Sequence, residues 1–196
     1  MGAFTRLLNG LGAFNATLLW LGRVLGATAM GLMVLIILAQ VFFRYVLGNA
    51  LAWPEEAARF LMLWATGLMI PTAYRRGGFV SVEMLVSFLP RIVGRLLGLA
   101  LLALALVVLV AGFRIGLSEV TGFGGRFATD SLKVPASLAL DTWVKVPKSW
   151  MMASLVTGLA MLILVNVELM LRGLAELTGQ HHGLVAIADA ADLRAE

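Results

Sequence analysis

The sequence predicts an all-α integral membrane protein: four transmembrane helices with short amphipathic surface helices. Two observations carry this. The 196 residues are 61% hydrophobic and only 13% charged, whereas a soluble domain has about 25% charged residues and under half apolar ones. The apolar residues also fall in runs of about 20, long enough as helices to cross a hydrocarbon core of about 30 Å. Lipid offers the backbone no hydrogen-bond partner, so such runs must satisfy their own amides, and helices do so.

The four spans are read at 24–43, closed by Arg44; 57–74, closed by Arg75 and Arg76; 96–113, closed by Arg114; and 150–167, followed by Glu168 and Arg172. They define a membrane domain over 24–172, preceded by an amphipathic segment over 1–23 and followed by a cytoplasmic tail over 173–196. The first span is too long for a cleaved signal peptide. In the segment before it, Phe4, Leu7, Leu8, Leu11, Phe14 and Leu18 share one helical face, while Thr5, Arg6, Asn9 and Asn15 lie elsewhere. That pattern suits a helix on the membrane surface.

Basic residues orient the chain. With the N-terminus inside, Arg75, Arg76, Arg91 and Arg95 crowd the second loop, against Arg44 alone in the first. N- and C-termini are therefore expected in the cytoplasm, and Trp53, Trp143 and Trp150 at the outer interface. In the second loop, Phe79, Val82, Val86 and Leu89 repeat at helical spacing up to Pro90, which predicts a surface helix. In the long third loop, Gly122 to Gly125 predicts a flexible break, and Leu138 to Val144 a short surface helix before Pro147. Three GxxxG patterns, Gly22/Gly26, Gly94/Gly98 and Gly112/Gly116, offer close helix approach.

Composition excludes several chemistries. Cysteine is absent, so there are no disulfides, thiolate metal sites or thiol redox reactions. His181 and His182 both lie in the polar tail, outside any apolar run, which excludes bis-histidine haem ligation within the membrane. The net charge of +4 comes without a basic stripe, so no nucleic-acid partner is implied. No ionisable group falls near the middle of a span, where transport paths and proton relays keep them. The span interiors offer only Gln40, Thr66, Thr72, Ser154 and Thr157, and the Thr and Ser hydroxyls are of the kind that bond their own helix carbonyls. No nucleophile–base pair or metal-ligand cluster exists, so the sequence predicts no enzyme, no cofactor and no bound metal.

The charged constellation is Arg44, Trp53, Pro54, Glu55, Glu56 and Arg59. Pro54 suits a first helical turn, where its missing N–H goes unnoticed. Glu55 and Glu56 favour the positive end of the helix, and Arg59 is within reach of either. These residues either cap and anchor two helices or make a polar contact with a partner subunit. Pro71 should kink the second span and free the carbonyl of Gly67. Glu168, four residues before Arg172, fits an interfacial ion pair.

The stretch from Gln40 to Pro90 resembles the small membrane subunit, of DctQ type, of tripartite ATP-independent periplasmic (TRAP) transporters. The likeness rests on Arg44 closing the first span, Trp53, Glu55 and Glu56 opening the second, Ala73 and Arg76 ending it, and Leu89–Pro90 closing the loop. Pro54 stands where Ser or Thr is frequent, Phe79 where His is common, and Glu83 where Asp is usual. The resemblance implies a scaffold subunit of the bacterial inner membrane. It would support a large membrane subunit in sodium-coupled uptake of an organic acid delivered by a periplasmic binding protein. The sodium gradient would be used by the complex and not bound by this chain. Arg44, Trp53, Glu55, Glu56, Arg59 and Arg76 are then the candidate interface residues. The competing expectation, a small four-span exporter acting as a dimer, needs a carboxylate deep in a span.

Overall fold

The computed structural model describes residues 3–49, 51–77, 90–122, 124–135, 143–178, 185 and 187. Four helices account for most of them: α1 Ala3–Tyr45, α2 Trp53–Arg75, α3 Arg91–Thr121 and α4 Lys148–Leu177. A 3₁₀ turn at Gly124–Arg126 and an antiparallel pair, β1 Ala128–Pro135 with β2 Trp143–Pro147, fill the connection between α3 and α4.

Three helices among the described residues, α1, α3 and α4, are long and apolar enough to cross a membrane. The sequence predicts four spans, and α2 is the exception: Arg59, Gly67, Pro71 and the hydroxyls of Thr66, Thr72 and Tyr74 dilute its apolar run. The leader and first span form one unbroken helix of 43 residues, because nothing between Ala3 and Tyr45 breaks helical hydrogen bonding. There is no separate surface helix over 1–23. Thr5, Leu8, Gly12, Asn15 and Leu19 turn inward, while Phe4, Leu7 and Phe14 face outward. That alternation of three and four residues continues through buried Gly22 and Gly26, the seam spacing of packed helices. α4 continues to Leu177, past the expected tail boundary at 173.

Each helix end has a local cause. Gly48 (φ +65°) follows α1 and Gly77 (φ +77°) follows α2, both in the left-handed conformation that ends helices most easily at glycine. Pro90 precedes α3, and its carbonyl accepts the first bond, from the Gly94 amide at 2.9 Å. The surface helix expected from Phe79 to Leu89 lies outside the described residues.

The third loop departs from the expected helix at Val144. Gly122 and Gly125 permit close approach: a Cβ on Gly122 would lie 2.5 Å from the Ser118 carbonyl oxygen, and one on Gly125 2.6 Å from that of Val120. Val144 lies in β2 and not in a helix, because Trp143–Val144–Lys145–Val146 alternates with period two and is rich in β-branched residues. The rest of that expected helix, 138–142, lies outside the described residues.

The chain forms two compact units. The first comprises residues 1–22, 69–112 and 159–196, the second 23–68 and 113–158. In the second unit α2 and α4 touch backbone to backbone. A Cβ on Gly67 would lie 2.5 Å from the Ser154 carbonyl oxygen, and one on Gly158 would lie 2.7 Å from that of Gly67. The Gly67 carbonyl is the one left without a helical donor by Pro71, and here it occupies the space a side chain at position 158 would need. Gly116 packs on Val156 in the same unit, and Gly112 on Leu159 in the first, so one of the three GxxxG patterns does line a helix contact. Gly98 has no heavy atom where its Cβ would go.

Replacing Gly158 with leucine should lower the stability of the detergent-solubilised chain by about 1–3 kcal/mol, the usual cost of overpacking. Gly31→Leu, at a position with nothing within 4 Å, should change it by less than about 0.5 kcal/mol. Equal thermal shifts for the two variants would contradict the backbone contact.

Candidate functional site

The most elaborate polar arrangement lies in the first unit and centres on Glu168 of α4, which is 0% exposed. A carboxylate this deep needs a full set of donors, since an unpaired buried charge is very costly. Arg75, at the end of α2, supplies a two-pronged contact: Nε to Oε2 at 2.9 Å and Nη2 to Oε1 at 2.7 Å. Asn15 of α1 donates its amide to Oε2 at 2.8 Å and to the Leu164 carbonyl at 3.3 Å. Arg172, one turn along α4, donates Nε to Oε1 at 3.0 Å. Arg75 also donates to the Gly12 carbonyl at 2.9 Å, and a Cβ on Gly12 would come within 2.8 Å of the Arg172 guanidinium. Glycine at position 12 is therefore what lets the two arginines reach α1.

Around this core the same unit makes further polar ties. Asn166 donates its side-chain amide to the Tyr74 hydroxyl, and Thr72 donates to the Leu19 carbonyl at 3.5 Å. Arg172 donates to the Val185 carbonyl at 2.7 Å, and the Val185 amide donates to Asn9 Oδ1 at 3.2 Å. Thr66, Ser154 and Thr157 instead bond carbonyls of their own helices at 2.8, 2.6 and 2.8 Å, as their sequence setting predicts.

Chemically, the Glu168 cluster is closed. Both carboxylate oxygens already accept from guanidiniums or an amide, so they have little capacity left to coordinate a cation or take a proton from a substrate. Among the described residues no group of three His, Asp or Glu side chains converges as a metal-ligand set. What the cluster does is bind α1, α2 and α4 to one another through charge-assisted bonds, roughly twice as strong as neutral ones.

The sequence-predicted constellation is distributed differently, all of it except Arg76 in the second unit. Glu55 pairs with Arg59 at 3.3 Å, both side chains well exposed. Glu56 turns away from Arg59 and toward β1. Four residues of β1, 129–132, face the single residue Val146 of β2, and this bulge leaves amides without ladder partners. Glu56 Oε2 accepts from the Ser131 and Leu132 amides at 2.8 and 2.7 Å and from the Ser131 hydroxyl at 2.8 Å. Buried Thr129 donates its hydroxyl within the same bulge, 2.8 Å from the Val146 carbonyl. Arg44 stacks over its neighbour Tyr45, 5.9 Å from the ring centroid, and no ion pair joins Arg44 or Arg76 to an acid among the described residues. Trp53 is exposed. The constellation thus resolves into the exposed Glu55–Arg59 pair, the Glu56 clamp on β1, and Arg44 and Trp53, which join neither.

The sequence reading took Glu168 and Arg172 as an interfacial pair and missed Asn15, Gly12 and Arg75 as its partners. The available signal was the repeat Thr5–Leu8–Gly12–Asn15–Leu19, small and polar residues at seam spacing inside an apolar helix.

A chain of long apolar helices, three of them able to cross a bilayer among the described residues, is a multi-pass membrane protein. A sequence model of the family described as tripartite ATP-independent periplasmic transporters, DctQ component, matches residues 33–176, well over half of the chain, and the protein belongs to that family. It is thus a small membrane subunit of a TRAP transporter. No curated protein matches the sequence significantly.

Two measurements follow from this geometry. Glu168→Ala leaves two buried guanidiniums without their anion and should cost about 3–5 kcal/mol of stability, read as a fall in the unfolding midpoint in detergent. At the other cluster, Glu56→Ala should cost about 1–3 kcal/mol by orphaning two amides, while Glu55→Ala, in an exposed pair, should cost less than about 1 kcal/mol.

Proposed function

We propose that this subunit is the static scaffold on which the large membrane subunit of the transporter works. The observation that carries the reading is the closed Glu168 cluster: both oxygens of this buried carboxylate are taken by Arg75, Arg172 and Asn15, so it offers no ligand to an ion or solute. The outward apolar faces add support. In the most hydrophobic 18-residue windows of α1 and α3, only 6% and 0% of residues are buried within the chain, against 33% in α4. Such faces suit a protein interface as well as lipid.

In this reading α2 is the fourth span: its 23 residues rise about 34 Å, enough for the hydrocarbon core. The chain sits in the bacterial inner membrane with both termini cytoplasmic, and the β1–β2 ribbon lies on the periplasmic side. The binding protein captures an organic acid, the large subunit moves it inward with sodium, and this chain binds neither. Arg44, Trp53, Glu55, Arg59 and Arg76, whose side chains tie no second element in place among the described residues, remain the candidate contacts with the large subunit. An autonomous exporter would need a membrane carboxylate free to exchange protons, and Glu168 is held by two arginines and an amide.

Affinity-tagged chain should co-purify with a much larger many-span protein and should move no substrate alone in liposomes under a sodium or proton gradient. Transport by the isolated chain would overturn the scaffold reading.

A further inference from the structure

The β1–β2 ribbon carries an electrostatic arrangement that its own fold does not explain. Lys133 and Lys145 are direct cross-strand partners, so their side chains stand on the same face about 5 Å apart at Cβ. Like charges so placed are destabilising. Both are exposed, and no acidic side chain pairs with either among the described residues. Trp143 lies two residues before Lys145 on β2, hence on the same face, and is 56% exposed. β2 ends at Pro147 and α4 begins at the next residue, Lys148, so no linker separates this face from the end of a membrane-crossing helix. Trp150, in the first turn of α4, is 55% exposed.

We propose that this face of the ribbon binds the headgroups of anionic phospholipids at the membrane surface. A phosphate between Lys133 and Lys145 converts their repulsion into two attractions, and the indoles of Trp143 and Trp150 occupy the headgroup level, where tryptophan concentrates. An acidic protein surface would satisfy the lysines equally. The exposed tryptophans and the direct junction with α4 favour lipid. The proposal rests on α4 crossing the membrane and is independent of the assembly with a large subunit.

The test uses the full chain in detergent, titrated with phosphatidylglycerol or phosphatidylcholine and followed by native mass spectrometry, with flotation on liposomes of the same lipids. Phosphatidylglycerol should bind several-fold more tightly than phosphatidylcholine. Each lysine removed should weaken that binding about fivefold, so K133Q/K145Q loses most of the preference and K133R/K145R keeps it. In phosphatidylcholine the glutamine variant should melt no lower than the parent, because it also loses the repulsion. Equal affinity for the two lipids overturns the proposal, as does a glutamine variant that retains the preference. A variant that keeps the preference but loses an acidic protein partner overturns it in favour of a protein contact. A chain that fails to float with liposomes defeats the membrane reading and the proposal together.

Discussion

Burying one carboxylate is the constraint around which the first unit of this subunit is organised. Glu168 has no access to water, and an ionised group in apolar surroundings persists only when fully paired. Each donor that meets this need imposes a condition elsewhere. Arg75 must come from the end of α2, Asn15 must occupy a packed position of α1, and residue 12 must lack a side chain so that both guanidiniums fit. The carboxylate therefore specifies which faces of three helices meet. In lipid this matters more than in water, because apolar side chains gain nothing by leaving hydrocarbon for one another, and shape and polar bonds must supply the specificity.

The second unit solves the same problem with different chemistry. There the helices meet through the absence of side chains, at Gly67 and Gly158, and the extramembrane ribbon is fastened to α2 by the Glu56 carboxylate. Glu55 and Glu56 are adjacent acids in one helical turn, yet they do unlike things: one lies in a solvent-exposed pair, the other satisfies the amides of a strand bulge. Their rotation of about 100° around the helix decides this.

Much of the architecture was legible in the sequence because membrane helices are dictated by length and hydropathy alone. The helices α1, α3 and α4 follow from apolar runs, and their ends from Pro90, Gly48 and basic residues. The packed face of the leader was not read from the sequence: in a lipid-facing helix the large apolar residues point outward and the small and polar ones inward, the reverse of a soluble amphipathic helix. Phe4, Leu7 and Phe14 obey that inversion. The Glu168 cluster was only half visible, since the i, i+4 relation to Arg172 is local while the contacts of Asn15 and Arg75 bridge 153 and 93 residues of sequence. The ribbon was missed because its strands are short, eight and five residues.

The close approach of the Gly67 carbonyl to α4 at Gly158 has a mechanical meaning beyond packing. Side-chain interfaces accommodate sliding by changing rotamers, which is how packed helices shear past one another. A peptide oxygen seated in a notch with no side chain has no rotamer to change. Axial displacement of α2 along α4 would drive that oxygen into the flanking turns, where side chains return. The pair behaves as a keyed joint with one permitted register.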